Sequence, residues 1–170
     1  KDVGLPLTEQ TLADRLGKHG YKTCAIGKWH LGGNEEQHPL SRGFDEFHGF
    51  LLGSRAYFSK AKKDRIDQQS LMDGREIIPE DDNRYLTDWM AKEANTFITS
   101  QKENPFFLYV AFNAVHTPMQ APPELIAEFP EVKNQRRQKL AAMTLSLDRA
   151  VGSILDTLNT QGLDEKTIVF

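Results

Sequence analysis

Three side chains able to do chemistry follow two apolar runs. Lys28 and His30 come just after residues 21–26, and His116 comes just after residues 106–112. A lysine is a compact point cation suited to an oxyanion. A histidine donates to an anion or moves a proton near neutral pH. Brought together, Lys28, His30 and His116 would make an anion pocket with acid and base capacity, of the kind phosphoryl or sulfuryl transfer uses. If the chain stays extended past Ile26, Lys28 and His30 share one face, and Trp29 between them turns inward to pack. No nucleophile stands beside them. On residue types alone two readings stand for each group. Lys-x-His is a short pattern that also ends ordinary strands, and His116, before Pro118, also reads as a loop-capping histidine.

To gather these groups the chain must bring two strand ends together. Residues 8–19 read as a helix capped by Thr8, with Leu12 and Leu16 on one face and Gly20 as its left-handed stop. Residues 21–26 are a short buried strand between Gly20 and Gly27. From Gly27 to about Asp73 the chain reads mostly as loop, with turn chemistry at Gly32-Gly33-Asn34 and Ser41-Arg42-Gly43. Asp73-Gly74 between apolar patches predicts a small hairpin over residues 71–78. Residues 81–100 form a second helix, capped by Asp82 or Asn83, with Leu86, Met90, Ala94, Phe97 and Ile98 as its apolar stripe. The unbroken run 106–112 predicts a strand covered on both faces.

Residues 114–123 are a loop with three prolines, and residues 124–129 a short helix. Residues 134–161 are a long helix turning Leu140, Met143, Leu147, Val151, Ile154, Leu155 and Leu158 to the core. Gly162 ends it, and residues 167–170 open another strand. Helices alternating with buried strands predict an α/β domain with a largely parallel sheet. In such sheets ligands collect at the carboxyl ends of the strands, where Lys28, His30 and His116 all fall.

Composition narrows the partners. A chain of 170 residues is one domain or a large piece of one, able to bury roughly 70% of its unfolded surface. Hydrophobic residues make up 39% and charged residues 26%, the polar side of globular. The longest apolar run, 106–112, is too short to cross a bilayer. Lys and Arg number 21 against 24 Asp and Glu, a formal charge of −3, which excludes a basic nucleic-acid surface. The single cysteine, Cys24, excludes an intramolecular disulfide and a cysteine-based zinc site. The chain starts Lys1-Asp2-Val3 and ends within Thr167-Ile168-Val169-Phe170, a β-branched run. The expectation is therefore an internal fragment, residues 1–170, of one domain incomplete at both ends.

Gly20-Tyr21-Lys22-Thr23 followed by Gly27-Lys28-Trp29-His30-Leu31-Gly32 resembles the second signature of the sulfatase family. His38-Pro39-Leu40-Ser41-Arg42-Gly43-Phe44-Asp45-Glu46-Phe47 resembles the family's Arg-Gly-Phe-Asp-x-Phe loop. The segment from Pro105 to Pro118 resembles its Pro-Phe-Phe-Leu-Tyr strand and the following Pro-His-x-Pro loop. Leu147-Asp148-Arg149-Ala150-Val151-Gly152 and Gly162-Leu163-Asp164 resemble its late helix. The matches run in order over nearly the whole chain.

The resemblance implies part of an alkaline-phosphatase-like α/β domain. It implies hydrolysis of aryl or carbohydrate sulfate esters by a formylglycine nucleophile, with a calcium ion polarising the sulfate. By position, Lys28 matches the lysine bridging sulfate and nucleophile, and His30 the histidine that helps release sulfate. His116 matches the histidine that protonates the leaving oxygen. The loop bearing Arg55, Lys60, Lys62, Lys63 and Arg65 would lie near the substrate entrance, where Arg55 could meet an anionic sugar, although such a cluster also reads as a solvated face. Family members work in the periplasm, outside the cell or in lysosomes.

The chain also departs from the pattern. It has no Cys/Ser-x-Pro-x-Arg, the motif that becomes formylglycine. Cys24 reads as a small buried residue, and Asp81, Asp82 and Asn83 as helix caps rather than calcium ligands. Nucleophile and calcium ligands are thus expected outside these residues, and the 170 residues alone are expected to be inactive. The alternatives are a phosphomonoester, phosphodiester or phosphonate hydrolase of the same superfamily, or a truncated non-catalytic relic.

Overall fold

Short apolar segments separated by glycine and proline turns build a sheet with helices on both sides. The computed structural model describes residues 4–58, 70–79 and 84–170. In chain order these form α1 (Leu12–Gly17), β1 (Lys22–Lys28), β2 (Glu46–Phe50), β3 (Met72–Asp73), β4 (Glu76–Ile77), α2 (Leu86–Ser100), β5 (Phe106–Ala111), α3 (Pro123–Ala127) and α4 (Gln135–Thr160). The sheet runs β4-β3-β2-β1-β5. Strand β1 is parallel to both β2 and β5, and the β3–β4 hairpin adds antiparallel strands beyond β2. The expected α/β class with a largely parallel sheet is what forms.

Both faces are covered. On one, Cys24, Ile26 and Phe50 pack under α2 and α4 with Met90 and Met143. On the other, Ala25, Trp29, Phe47 and Leu51 pack with Phe44 and with Ala13 of α1. The register aligns Lys28 with Phe50 and Gly27 with Ala111, so three parallel strands end flush.

Several expectations are corrected. The stretch 27–73, read as mostly loop, also holds a strand among its described residues: Glu46–Phe50 pairs with β1 as β2. Its glycine and charged residues hid it, but parallel pairing supplies the ladder and buries Phe47 and Phe50. Strand β1 runs two residues past Ile26, to Lys28. Strand β5 is half-buried rather than covered on both faces, with Tyr109 43% exposed, since among the described residues it is the sheet's edge. Residues 167–170 make no strand: Ile168 is 87% exposed and Phe170 99%, and no described residue offers a ladder.

The helices shift too. Thr11, not Thr8, caps α1: its Oγ1 accepts from the Asp14 amide at 3.0 Å while Asp14 Oδ2 accepts from the Thr11 amide at 2.8 Å. Ala13, not Leu12, is the buried residue there. Tyr85 stands at the N-terminus of α2 with no side-chain cap, and the Asp81, Asp82 and Asn83 expected there lie outside the described residues. The predicted stripe of α2 is buried as read.

On α4, Met143 and Leu158 are buried, but Leu140, Val151 and Leu155 are exposed. Small residues, Ala142, Ser146 and Ala150, take their place against the core. There Ser146 Oγ donates to Asp88 of α2 at 3.3 Å, and Asn95 donates to Ser153 at 2.7 Å. Small side chains let the two helices approach closely, which turns the leucine stripe outward.

The segment Arg42-Gly43-Phe44-Asp45 knots the amino side of the sheet. Arg42, 4% exposed, donates to the carbonyls of Leu5, Pro6 and Glu9. Gly43 has φ 89°, and a Cβ there would strike the Asp14 backbone. Asp45 Oδ2 accepts from the buried Thr23 amide at 2.9 Å, and Thr23 Oγ1 donates to the Gly43 carbonyl at 2.9 Å.

Two outcomes are expected for stability. Thr11→Ala should cost about 1 kcal/mol by urea unfolding of the full-length protein, whereas Thr8→Ala should stay within about 0.5 kcal/mol. His38 should make stability fall on the acid side. Burial, then the Arg75 charge, push its pKa below the ordinary 6.5, and its Nδ1 accepts from the Leu40 amide, which requires a lone pair. Below 6.5 the unfolded chain therefore binds more protons than the folded one, and stability drops as pH falls. His38→Asn, which keeps an acceptor but does not titrate, should flatten that slope in unfolding measured against pH.

Candidate active site

Gly27 decides how β1 ends. Its φ is 99°, and a side chain there would meet the Ala111 carbonyl and Met90. Only glycine allows β5 to approach so closely, and Lys28 is therefore delivered beside the exit of β5. Pairing with β2 continues past the strand: the Trp29 amide donates to Phe50 at 3.0 Å and the His30 amide to Leu51 at 3.1 Å. Trp29 is buried as expected, its Nε1 donating to Gln37 at 2.8 Å and its ring edge-on to Phe44.

His30 does not continue the extended run. Its φ is 57°, the left-handed region, so simple alternation with Lys28 does not describe it. Its ring lies over Gly53, where an added Cβ would sit 2.6 Å from Nε2.

The loop after β5 is held from below. Tyr57 Oη donates to the carbonyls of Asn113 at 2.8 Å and His116 at 3.0 Å. Burial raises the Tyr57 pKa, so the hydroxyl stays a donor. The Tyr57 amide donates to Gln120 Oε1, and Tyr85 Oη donates to the Gln120 carbonyl. Asn113, 3% exposed, donates through Nδ2 to the Arg55 carbonyl at 3.0 Å. Its Oδ1 has no hydrogen-bond partner among the described residues. His116 itself is exposed, with Nδ1 2.7 Å from the Thr117 carbonyl. A carbonyl only accepts, so Nδ1 carries the proton and Nε2 is left to take or give one.

The three residues singled out by the sequence thus leave one edge of one sheet: Lys28 and His30 from β1, His116 from β5. Arg55 is buried beneath that edge, its Nε donating to the Ala56 carbonyl at 3.3 Å. The basic residues Lys60, Lys62, Lys63 and Arg65 lie outside the described residues. Sequence reasoning missed Tyr57, Asn113, Gln120 and Gly53, which hold the site. They sit in stretches without periodicity, where only partners distant in sequence give a side chain its meaning. Two grooves lie elsewhere, one between α2 and α4 and one between residues 129–134 and α4.

Calcium asks for a cage of oxygens. Among the described residues, the cluster with three metal-ligating side chains is Cys24, Glu46 and His48, well before the strand ends. A thiol and an imidazole do not suit calcium, so the described residues do not fit it and no step is assigned to it.

The chain is thus an open, mostly parallel α/β sheet with a lysine and two histidines following its strands at the carboxyl edge. The sulfatase family model matches residues 1–170. Arylsulfatase J of Mus musculus is 35% identical over 170 residues, covering 97% of this chain and 28% of that protein. N-acetylgalactosamine-6-sulfatase of Mus musculus is 34% identical, covering 98% and 33%. The crystal structure of Ps i-CgsB in complex with k-i-k-neocarrahexaose superposes with a TM-score of 0.89 at 34% identity, covering 96% of this chain and 39% of that one. The chain belongs to the sulfatase family, and its fold is that family's α/β architecture. It spans about a third of the length of these relatives.

Tyr57→Phe should leave the fold intact and loosen the His116 loop. The expected cost is about 0.5–1.5 kcal/mol, with faster amide hydrogen exchange confined to residues 113–120. Unchanged exchange there would mean that Tyr57 does not hold the loop.

Proposed function

We propose that the chain forms the sulfate-gripping and proton-transfer part of a sulfate ester hydrolase. Family membership over all 170 residues carries this reading and favours sulfur over phosphorus chemistry. The side chains divide the work. Lys28 neutralises charge on the sulfate oxygens. His116, its Nδ1 proton committed to the Thr117 carbonyl, gives a proton from Nε2 to the leaving oxygen and is left as the neutral base. His30 attends release of sulfate, its ring seated over Gly53. Arg55 adds a buried positive charge below the edge.

The sulfatase nucleophile is a formylglycine. Cys24 does not fit as its precursor, because it is fully buried in β1 and burial raises its thiol pKa. No step is therefore routed through a residue of this chain acting as nucleophile. The substrate we propose is a carbohydrate sulfate, met in the periplasm, outside the cell or in a lysosome. Two relatives support a sugar: one is named for N-acetylgalactosamine 6-sulfate, and one was crystallised with neocarrahexaose.

A sugar hydroxyl is a poor leaving group and needs its proton, whereas a nitrophenolate departs without one. In the full-length protein, His116→Ala should lower kcat/KM for a sugar sulfate by about 10²–10⁴-fold. It should lower that for 4-nitrophenyl sulfate far less. Lys28→Ala should lower both alike, since the sulfate is common to them. Equal losses on His116→Ala would remove the acid role. No sulfatase activity in the full-length protein would overturn the reading.

A further inference from the structure

The amino half of the sheet carries a second cluster, away from the catalytic edge. Cys24 on β1 is the register partner of Glu46 on β2. His48 lies two residues after Glu46 and so shares its face. The Cys24 Sγ, a Glu46 carboxylate oxygen and a His48 ring nitrogen all lie within 4.8 Å of one another. His48 also faces the neighbouring hairpin, where it is the register partner of Asp73.

The two ring nitrogens of His48 have different neighbours. Nδ1 is 3.2 Å from Asp73 Oδ1, whereas Nε2 is 3.6 Å from Glu46 Oε2. Both are ion-pair contacts rather than hydrogen bonds, and the second is too long for one. It is instead close to the spacing of two ligands around a tetrahedral ion with bonds near 2.1 Å, about 3.4 Å. A carboxylate beside one nitrogen of a histidine, with a second carboxylate beside the other, is an arrangement that orients a metal-binding imidazole.

We propose that Cys24, Glu46 and His48 form a binding site for a borderline divalent metal such as zinc, with Asp73 orienting His48. Sulfur, nitrogen and oxygen together disfavour calcium and magnesium and suit zinc. Counting cysteines excludes a site of several thiolates, but this set is mixed and assembled across strands. On binding, the Cys24 S–H proton leaves to solvent as the sulfur–metal bond forms. Glu46 and His48 each contribute a lone pair, and water completes the tetrahedron. The metal would pin β1 to β2 and, through Asp73, to the hairpin. This site does not depend on the sulfate chemistry at the other end of the strands.

The test is Co²⁺ titration of the chelator-treated full-length protein, followed by absorption. The expected spectrum has a sulfur-to-cobalt charge-transfer band and ligand-field bands of tetrahedral strength, both displaced by Zn²⁺. Cys24→Ser should abolish the charge-transfer band. Asp73→Asn, at an exposed hairpin position that leaves folding intact, should weaken Co²⁺ binding about 10–100-fold. A wild-type protein with no such band would overturn the site and leave His48 as an ion-pair partner of Glu46 and Asp73. A band that survives Cys24→Ser, or an affinity unmoved by Asp73→Asn, would overturn it equally.

Discussion

The parallel ladder that β1 makes with β2 on one side and β5 on the other is the interaction on which the rest of the molecule depends. It sets three carboxyl ends level, with Lys28 opposite Phe50 and Gly27 opposite Ala111. A one-residue slip would turn every side chain of β1 to the other face. Cys24 and Ile26 would leave the α2 side, and Lys28 would no longer end beside the loop that carries His116. The two cores hold the register because each takes alternate residues of β1.

Polar groups complete what the ladder begins. At the amino end, Thr23 is buried and its amide and hydroxyl are satisfied by Asp45 and Gly43, so β1 starts without an orphaned donor. Arg42 is buried too, and its guanidinium is satisfied by three carbonyls of the segment before α1. The Arg-Gly-Phe-Asp segment is therefore structural: arginine gathers a loop, glycine lets α1 approach, phenylalanine fills the core and aspartate anchors the strand. At the carboxyl end Tyr57 plays the corresponding part, binding two carbonyls of the His116 loop with one hydroxyl.

The two ends of the strands thus have different chemistry. The carboxyl edge carries Lys28, His30 and His116. Between β1, β2 and β3 the sheet gathers a thiol, a histidine and carboxylates, the set to which we assign a metal. His116 and His48 illustrate the contrast. A carbonyl beside His116 Nδ1 leaves Nε2 free to exchange a proton, whereas His48 stands between two carboxylates, Asp73 at Nδ1 and Glu46 at Nε2.

The sequence by itself determined the α/β class, the main helices, strands β1 and β5, the β3–β4 hairpin, and the lysine and histidines at the strand ends. Those features are local: apolar runs, glycine and proline punctuation, and a run of ordered motifs carry them. Only the tertiary structure decided that Glu46–Phe50 is a strand, since its own residues are weak strand formers and β1 supplies its ladder. Only packing decided that α4 buries its small residues and exposes Leu140, Val151 and Leu155, because the close approach of α2 outweighs hydrophobicity. The left-handed turn of His30, the seat on Gly53 and the grip of Tyr57 on His116 all join residues far apart in the chain. The meeting of Cys24, Glu46, His48 and Asp73 needs three strands in register, which no count of residues along one chain can reveal.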